Sequence, residues 1–118
     1  ASQVPDPPAT PGGQTGLATV PLTIASGGRL HRFQVEVARS PEEQAQGLMF
    51  RRSLAADAGM IFPFNPPRPA SFWMKNTLIP LDMLFVRADG TIARIAAMTR
   101  PHSLDPVVVN EPVAAVLE

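Results

Sequence analysis

Proline is the residue that most restricts the fold of this chain, because fourteen of its 118 residues are proline. A proline has a fixed φ and no backbone N–H, so it interrupts helices and is confined to edges, bulges or first positions in strands. The prolines fall into two groups, one crowded at the start of the chain and one that separates short apolar runs. This distribution predicts a small domain of short β-strands, and no apolar run approaches the roughly 18 residues that a membrane-spanning helix needs.

Residues 1–16 form the crowded group, with four prolines, three glycines and Val4 as the one large apolar residue. Such a segment buries too little apolar surface to offset the entropy that ordering would cost. We predict that it is a disordered tether, of the kind that often follows a secretory signal peptide. A periplasmic or otherwise extracytoplasmic location follows as an expectation, and residues 17–118 are predicted to form a single domain.

The composition excludes several classes of function. Ten basic and ten acidic side chains give a formal net charge of zero, which argues against binding to nucleic acid. Without cysteine, the chain has no disulfide, no thiolate nucleophile and no sulfur-rich zinc site. His102, Asp105 and Glu111 are the closest approach to a metal-ligand grouping, but their spacing matches no ligand template. The sequence therefore predicts no metal and no cofactor.

Two local patterns define the first half of the domain. Alternating apolar residues over Leu17–Ile24 and Leu30–Val37 flank a Ser-Gly-Gly-Arg turn signal. This pattern predicts a β-hairpin with one solvent-exposed face. Ser40, Pro41 and Glu43 then supply an N-cap, a proline at the first helical position and a capping box. We predict a short helix over Pro41–Met49, with Ala45, Leu48 and Met49 buried and Glu42, Glu43 and Gln46 facing water.

The second half is predicted to be β-structure throughout. Short strands are expected at Met60–Phe64, Ser71–Asn76, Leu81–Arg87, Thr91–Met98, Val107–Val109 and Val113–Glu118, and a proline loop over Asn65–Pro69. Seven or so strands with one helix predict a mainly β fold, a small antiparallel β-barrel or sandwich. Strands and helices do not alternate along the sequence, so it does not predict a parallel sheet.

A few polar residues lie within the strongly apolar segment Ala70–Val86, and they are the best candidates for a binding site. Trp73 offers an aromatic platform, Lys75 and Asn76 follow it, and Asp82 lies between large apolar side chains. Aromatic surfaces beside fixed hydrogen-bonding groups suit small polar ligands such as sugars. Arg51, which follows the helix, is a further candidate if its side chain turns towards Lys75.

An architectural interpretation of the same residues remains open. Asp82 would then pair with Lys75, an arginine or backbone amides to tie down a turn. Asn76 would take a left-handed turn conformation and Trp73 would be packing. The residues alone do not separate the two interpretations.

Four motifs occur in order along the chain: GLMFR at 47–51, GMIF at 59–62, FWMKNT at 72–77 and IPLD at 79–82. Together they resemble the bacterial and archaeal family known as domain of unknown function 192, over about Phe33 to Glu118. The resemblance implies a small, mainly β domain, often behind a signal peptide or membrane anchor. It implies no activity, because the family has no established substrate, cofactor or catalytic residue.

Members of that family typically continue beyond the Val-Leu-Glu strand with a glycine turn, a short helix and a last strand, whereas this sequence stops at Glu118. The expectation is a barrel that is incompletely closed at its C-terminal side, with an uncovered edge strand and a monomer or weak homodimer.

Three functions were compatible with these features. The first is a non-catalytic binding or accessory domain that recognises a small polar ligand or a protein. The second is an assembly role through the exposed edge strand. The third, least favoured because the usual catalytic signatures are missing, is a small hydrolase or lyase that uses Asp82 as acid or base.

Overall fold

A computed structural model describes residues 13–14 and 16–118 of the chain. Most of the predicted tether, residues 1–12 and residue 15, lies outside the described residues. The described part contains six strands and one helix, in the order β1 (Thr19–Ser26), β2 (Arg29–Val37), α1 (Pro41–Gln46), β3 (Ala58–Phe72), β4 (Leu81–Val86), β5 (Ile92–Thr99) and β6 (Val107–Leu117). The predicted mainly β fold with one short helix is confirmed.

The hairpin and the start of the helix follow from local sequence, as predicted. β1 and β2 pair in antiparallel register around Gly27 and Gly28, whose φ angles of 57° and 78° suit glycine. At α1, the Glu43 N–H donates to the Ser40 hydroxyl at 3.0 Å, and the Glu43 carboxylate accepts from the Ser40 N–H at 3.0 Å. Both halves of the predicted capping box are therefore present.

The helix is shorter than predicted and buries two side chains beyond those predicted, Gln44 and Gln46. It ends at Gln46, where Gly47 adopts a φ of 53°. The Gln14 side-chain amide donates to the carbonyls of Glu43 and Gly47 at 3.0 and 2.9 Å, so residues 13–14 pack over the helix end. Gln46 is consequently buried, and the prediction that it faces water was wrong.

One strand pair departs from the antiparallel arrangement. β2 and β3 are parallel, with Val35 opposite Gly59 and Val37 opposite Ile61. Parallel neighbours need a long crossover, and residues 38–57, which contain α1, supply it.

β3 also passes through the predicted proline loop. The fixed φ of proline is compatible with an extended backbone, so residues 65–69 continue the strand. Because proline donates no hydrogen bond, the pairing with β6 shifts register between Pro63 and Ala70.

The sheet has the order β1-β2-β3-β6-β4-β5, and it is not closed, with β1 and β5 at its two edges. One face carries the aromatic core, where the Phe72 ring contacts Phe62 and Phe85 edge-on at centroid distances of 5.0 and 6.2 Å. Met60 and Met83 complete this fully buried side.

The opposite face of the sheet is also apolar, but it is only partly covered. Along β4, Met83 and Phe85 are buried in the core, whereas Leu84 and Val86 alternate with them and are half-buried. Leu84 lies opposite Leu117 of β6 and Ile95 of β5, so apolar side chains from three strands meet there. Two surface cavities of the molecule lie along this second face.

Within the described residues, no helix has the length and hydropathy that crossing a membrane requires.

Candidate functional site

Asp82 is a solvent-exposed residue of β4 whose carboxylate is held by the neighbouring strand. Its Oδ1 accepts a hydrogen bond from the Met98 N–H at 2.8 Å. Between the pairs Leu81–Thr99 and Met83–Ala96, two residues of β5 oppose Asp82 alone, which is a β-bulge. Met98 takes a φ of 50° in this bulge, and the carboxylate satisfies its amide.

Trp73, Lys75 and Asn76 lie together in the segment between β3 and β4. The Lys75 ammonium is 5.2 Å from the centroid of the Trp73 ring, a cation–π distance. Asn76 has a φ of 55°, the left-handed conformation that the architectural interpretation predicts for it. Its carbonyl oxygen accepts from the Phe50 N–H at 2.8 Å, which ties this turn to the segment after α1.

Arg51 is part of a separate structural contact. Its guanidinium forms a two-pronged ion pair with the Glu36 carboxylate, and Nη2 also donates to the Gln14 carbonyl at 2.8 Å. The side chains of both ion-pair partners are mostly buried, at 16% and 20% exposure. Arg51 thus joins residues 13–14 to β2.

A cavity on the molecule's surface brings together a different set of residues. It has a volume of about 710 Å³ and is bordered by the β1–β2 hairpin, the loop after α1 and strands β4 and β5. Of the five candidates from the sequence, Asp82 lines it, whereas Arg51, Trp73, Lys75 and Asn76 are not among its described lining residues. Most of its lining is apolar, with Phe33, Leu54, Ile79 and Leu81 among the contributors.

A second cavity, of about 600 Å³, lies next to the first. The two share Ile24, Leu84 and Leu117 as lining residues. The second is lined by residues of both edge strands, such as Leu22 of β1 and Ile92 of β5, so it extends between the two edges of the open sheet. We call the two cavities together the apolar cleft.

Among the described residues, three titratable ones line the first cavity: His31, Asp82 and Glu118. His31 and Asp82 are exposed, whereas both carboxylate oxygens of Glu118 are buried. Burial raises the pKa of Glu118 to about 7, because removal from water disfavours the charged form. A carboxyl with this pKa can exchange a proton near neutral pH.

The backbone around Glu118 is closely packed. Glu118 and Met60 exchange two backbone hydrogen bonds, at 2.9 and 3.1 Å. Gly59 faces the Glu118 carbonyl oxygen so closely that a Cβ there would lie well inside van der Waals contact. Within residues 13–14 and 16–118, no three His, Asp or Glu side chains are grouped to hold a metal ion.

Sequence reasoning missed most residues of the apolar cleft. The sequence pattern predicts only ordinary strand positions for four of them: Ile24, Leu84, Met98 and Leu117. One signal was available: β4 and β6 carry apolar side chains at successive positions, not only at alternate ones. A strand with this pattern has both faces against apolar surroundings.

Two solved structures share this fold. A protein of unknown function from Novosphingobium aromaticivorans has a TM-score of 0.85 and 42% sequence identity, over 99% of this chain and 85% of that one. A protein from Sinorhizobium meliloti, described as a candidate transcription regulator, has a TM-score of 0.81 and 47% identity, over 89% of this chain and 82% of that one. Among curated proteins, no match is found.

The family model of DUF192, described as "Uncharacterized ACR", matches residues 22–118. This range contains all four motifs that carried the resemblance, and it covers most of the chain. The chain therefore belongs to the DUF192 family.

Proposed function

We propose that this domain is a non-catalytic binding module that holds a small apolar ligand in the apolar cleft. The observation that carries the proposal is the first cavity itself, since its volume of about 710 Å³ falls within the range of pockets that enclose small molecules. Ligand pockets are mostly apolar with a few polar groups, and here Asp82 and His31 are such groups.

The partly covered second face of the sheet supports the same proposal. Ile95 and Met98 on β5 are exposed by 58% and 70%, and both line the first cavity. A ligand in the cleft would remove this apolar surface from water, which is favourable by about 25 cal/mol per Å².

The experiment is a calorimetric titration of the protein with 1-decanol, comparing two substitutions in the same hairpin. Ile24 lines both cavities, so Ile24→Gln should weaken binding about tenfold by replacing apolar contact with an amide. Leu30 is 64% exposed and is not a described lining residue, so Leu30→Gln should bind as the wild type does. Equal binding by all three proteins, or no binding by the wild type, would contradict the proposal.

A second candidate site is the Trp73–Lys75 pair, which we propose as the place for a small polar ligand if the cleft proves empty. The cation–π geometry favours it, because an aromatic face and a cation are held together 5.2 Å apart. The lysine already occupies one side of the indole, however, which leaves less of the ring for stacking.

Other roles stay predictions. The description of the Sinorhizobium meliloti protein raises a regulatory role on DNA, but equal numbers of basic and acidic residues argue against it here. An extracytoplasmic location and pairing through the β5 edge are untested, and light scattering over a range of concentrations tests the second.

A further inference from the structure

The charged groups along the apolar cleft are of one sign. The first cavity is lined by the exposed carboxylate of Asp82 and by Glu118, whose buried carboxyl has a pKa raised to about 7 and is only partly charged at neutral pH, with His31 counted as neutral. The described lining residues of the second cavity include no charged side chain. Across both cavities, no lysine or arginine is found among the described lining residues. A ligand with an anionic group would therefore meet the Asp82 carboxylate and no Lys or Arg partner among these described lining residues.

Asp82 is the carboxylate best placed to meet a ligand. It is exposed at the cavity, and the hydrogen bond from the Met98 N–H to Oδ1 fixes the orientation of the carboxylate. The second oxygen of a carboxylate can accept further hydrogen bonds, so Asp82 can bind a ligand while it keeps the hydrogen bond from the Met98 N–H. Met98 lines the same cavity, so an apolar side chain lies next to the charge.

The shape of the cleft favours an elongated ligand. The two cavities, of about 710 and 600 Å³, meet at Ile24, Leu84 and Leu117. Their charged residues all lie in the first cavity, and the second offers only neutral lining. The cleft is thus polarised, with the Asp82 carboxylate in the first cavity and a neutral, mostly apolar lining in the second.

From this arrangement, and resting on the proposed function, we propose that the ligand is a cationic amphiphile. Its aliphatic chain lies along the second cavity, and its ammonium group lies beside Asp82 in the first. An ammonium donates hydrogen bonds to a carboxylate and carries the complementary charge. Such a pair at a solvent-exposed site contributes modestly, so charge selects the head group whereas the chain supplies most of the affinity.

The test compares three ligands that share a decyl chain and differ in the head group: decylammonium, 1-decanol and decanoate. Each is titrated calorimetrically at neutral pH, the two ionic ligands below their critical micelle concentrations and 1-decanol below its solubility limit. We expect decylammonium to bind tightest and decanoate weakest, with about a two- to fivefold preference for the ammonium over the alcohol.

Two matched substitutions test whether Asp82 causes the preference for the ammonium head group. Asp82→Asn keeps an oxygen that accepts from the Met98 N–H, so the bulge is retained while the charge is removed. Asp105→Asn removes an exposed carboxylate that is not among the described lining residues of either cavity. The preference should disappear in Asp82→Asn and persist in Asp105→Asn, while circular dichroism shows both variants folded.

The possible results of this titration distinguish failure of the cationic head group from failure of the binding site. Equal binding of the three ligands, tighter binding of decanoate, or loss of the preference in both variants overturns the cationic head group but leaves the cleft as a binding site. Failure of all three ligands to bind the wild type overturns both proposals.

Discussion

Gly59 of strand β3 packs against the backbone of Glu118, and its lack of a side chain is what allows this close packing. An added Cβ would overlap the Glu118 carbonyl oxygen, a backbone atom that cannot move aside without disturbing the Met60–Glu118 hydrogen bonds. We expect Gly59→Ala to lower the free energy of unfolding by about 1–3 kcal/mol. Urea denaturation followed by circular dichroism measures this change.

Gly28 provides the control, since it requires glycine for a different reason. It has a φ of 78° and open space around the Cβ position. Gly28→Asn should therefore be less destabilising than Gly28→Ala, because asparagine tolerates the left-handed conformation. At Gly59 the order should reverse, because the larger side chain overlaps more. The same order at both positions would refute the steric explanation.

Asp82 shows what single residues reveal before a structure is known. Its apolar neighbours in the sequence suggest a buried carboxylate that needs a partner, whereas in the structure Asp82 is exposed and accepts a hydrogen bond from the Met98 N–H. The sequence does not indicate that the partner is the Met98 amide, because that contact depends on a bulge in the register of β4 with β5. The candidate role of Trp73, Lys75, Asn76 and Arg51 in binding stays a prediction.

At the scale of elements, the capping box of α1 is the most self-contained feature. The Ser40 hydroxyl accepts from the Glu43 N–H, so Ser40→Ala leaves this amide without its partner. We expect the free energy of unfolding to fall by about 1 kcal/mol. Ser53→Ala, at an exposed serine outside the capping box, should have little effect in the same urea titration.

Acidification tests the other half of the box. Hydrogen bonds from the backbone amides of Ser40 and Arg39 lower the pKa of Glu43 below its usual value of 4.5. A carboxyl whose pKa is lower in the folded state stabilises the fold above the unfolded pKa and loses this effect as the pH falls through the folded pKa. Glu43→Gln should therefore be less stable than the wild type at neutral pH, and the difference should shrink below about pH 4.5. A difference that is independent of pH would contradict this account.

The elements differ in how far sequence predicts them. The β1–β2 hairpin and the start of α1 depend on neighbouring residues, such as Gly27, Gly28 and the Ser40–Glu43 box, and both are confirmed. The path of β3 through its prolines and its parallel pairing with β2 depend on distant partners. Local preference carries no information about such partners, so those features could not be predicted.

For the whole molecule, the open sheet has two apolar faces, one against the aromatic core and one along the apolar cleft. The sequence predicted a mainly β domain with incomplete closure, which the unclosed sheet bears out. It did not predict the cleft, because Ile24, Leu84 and Leu117 are far apart in sequence and meet through the strand order β1-β2-β3-β6-β4-β5. Only Asp82 belongs both to the sequence-derived candidates and to the cleft lining.

The most direct test of the account is a methyl nuclear magnetic resonance titration with 1-decanol. The methyl signals of Ile24, Leu84 and Leu117, which line both cavities, should shift together and saturate with one binding constant. The methyl signals of Leu30 and Leu104, exposed elsewhere on the surface, should stay in place. Unchanged signals from the three cleft residues, or shifts confined to the surroundings of Trp73, would contradict the claim that the apolar cleft is the binding site.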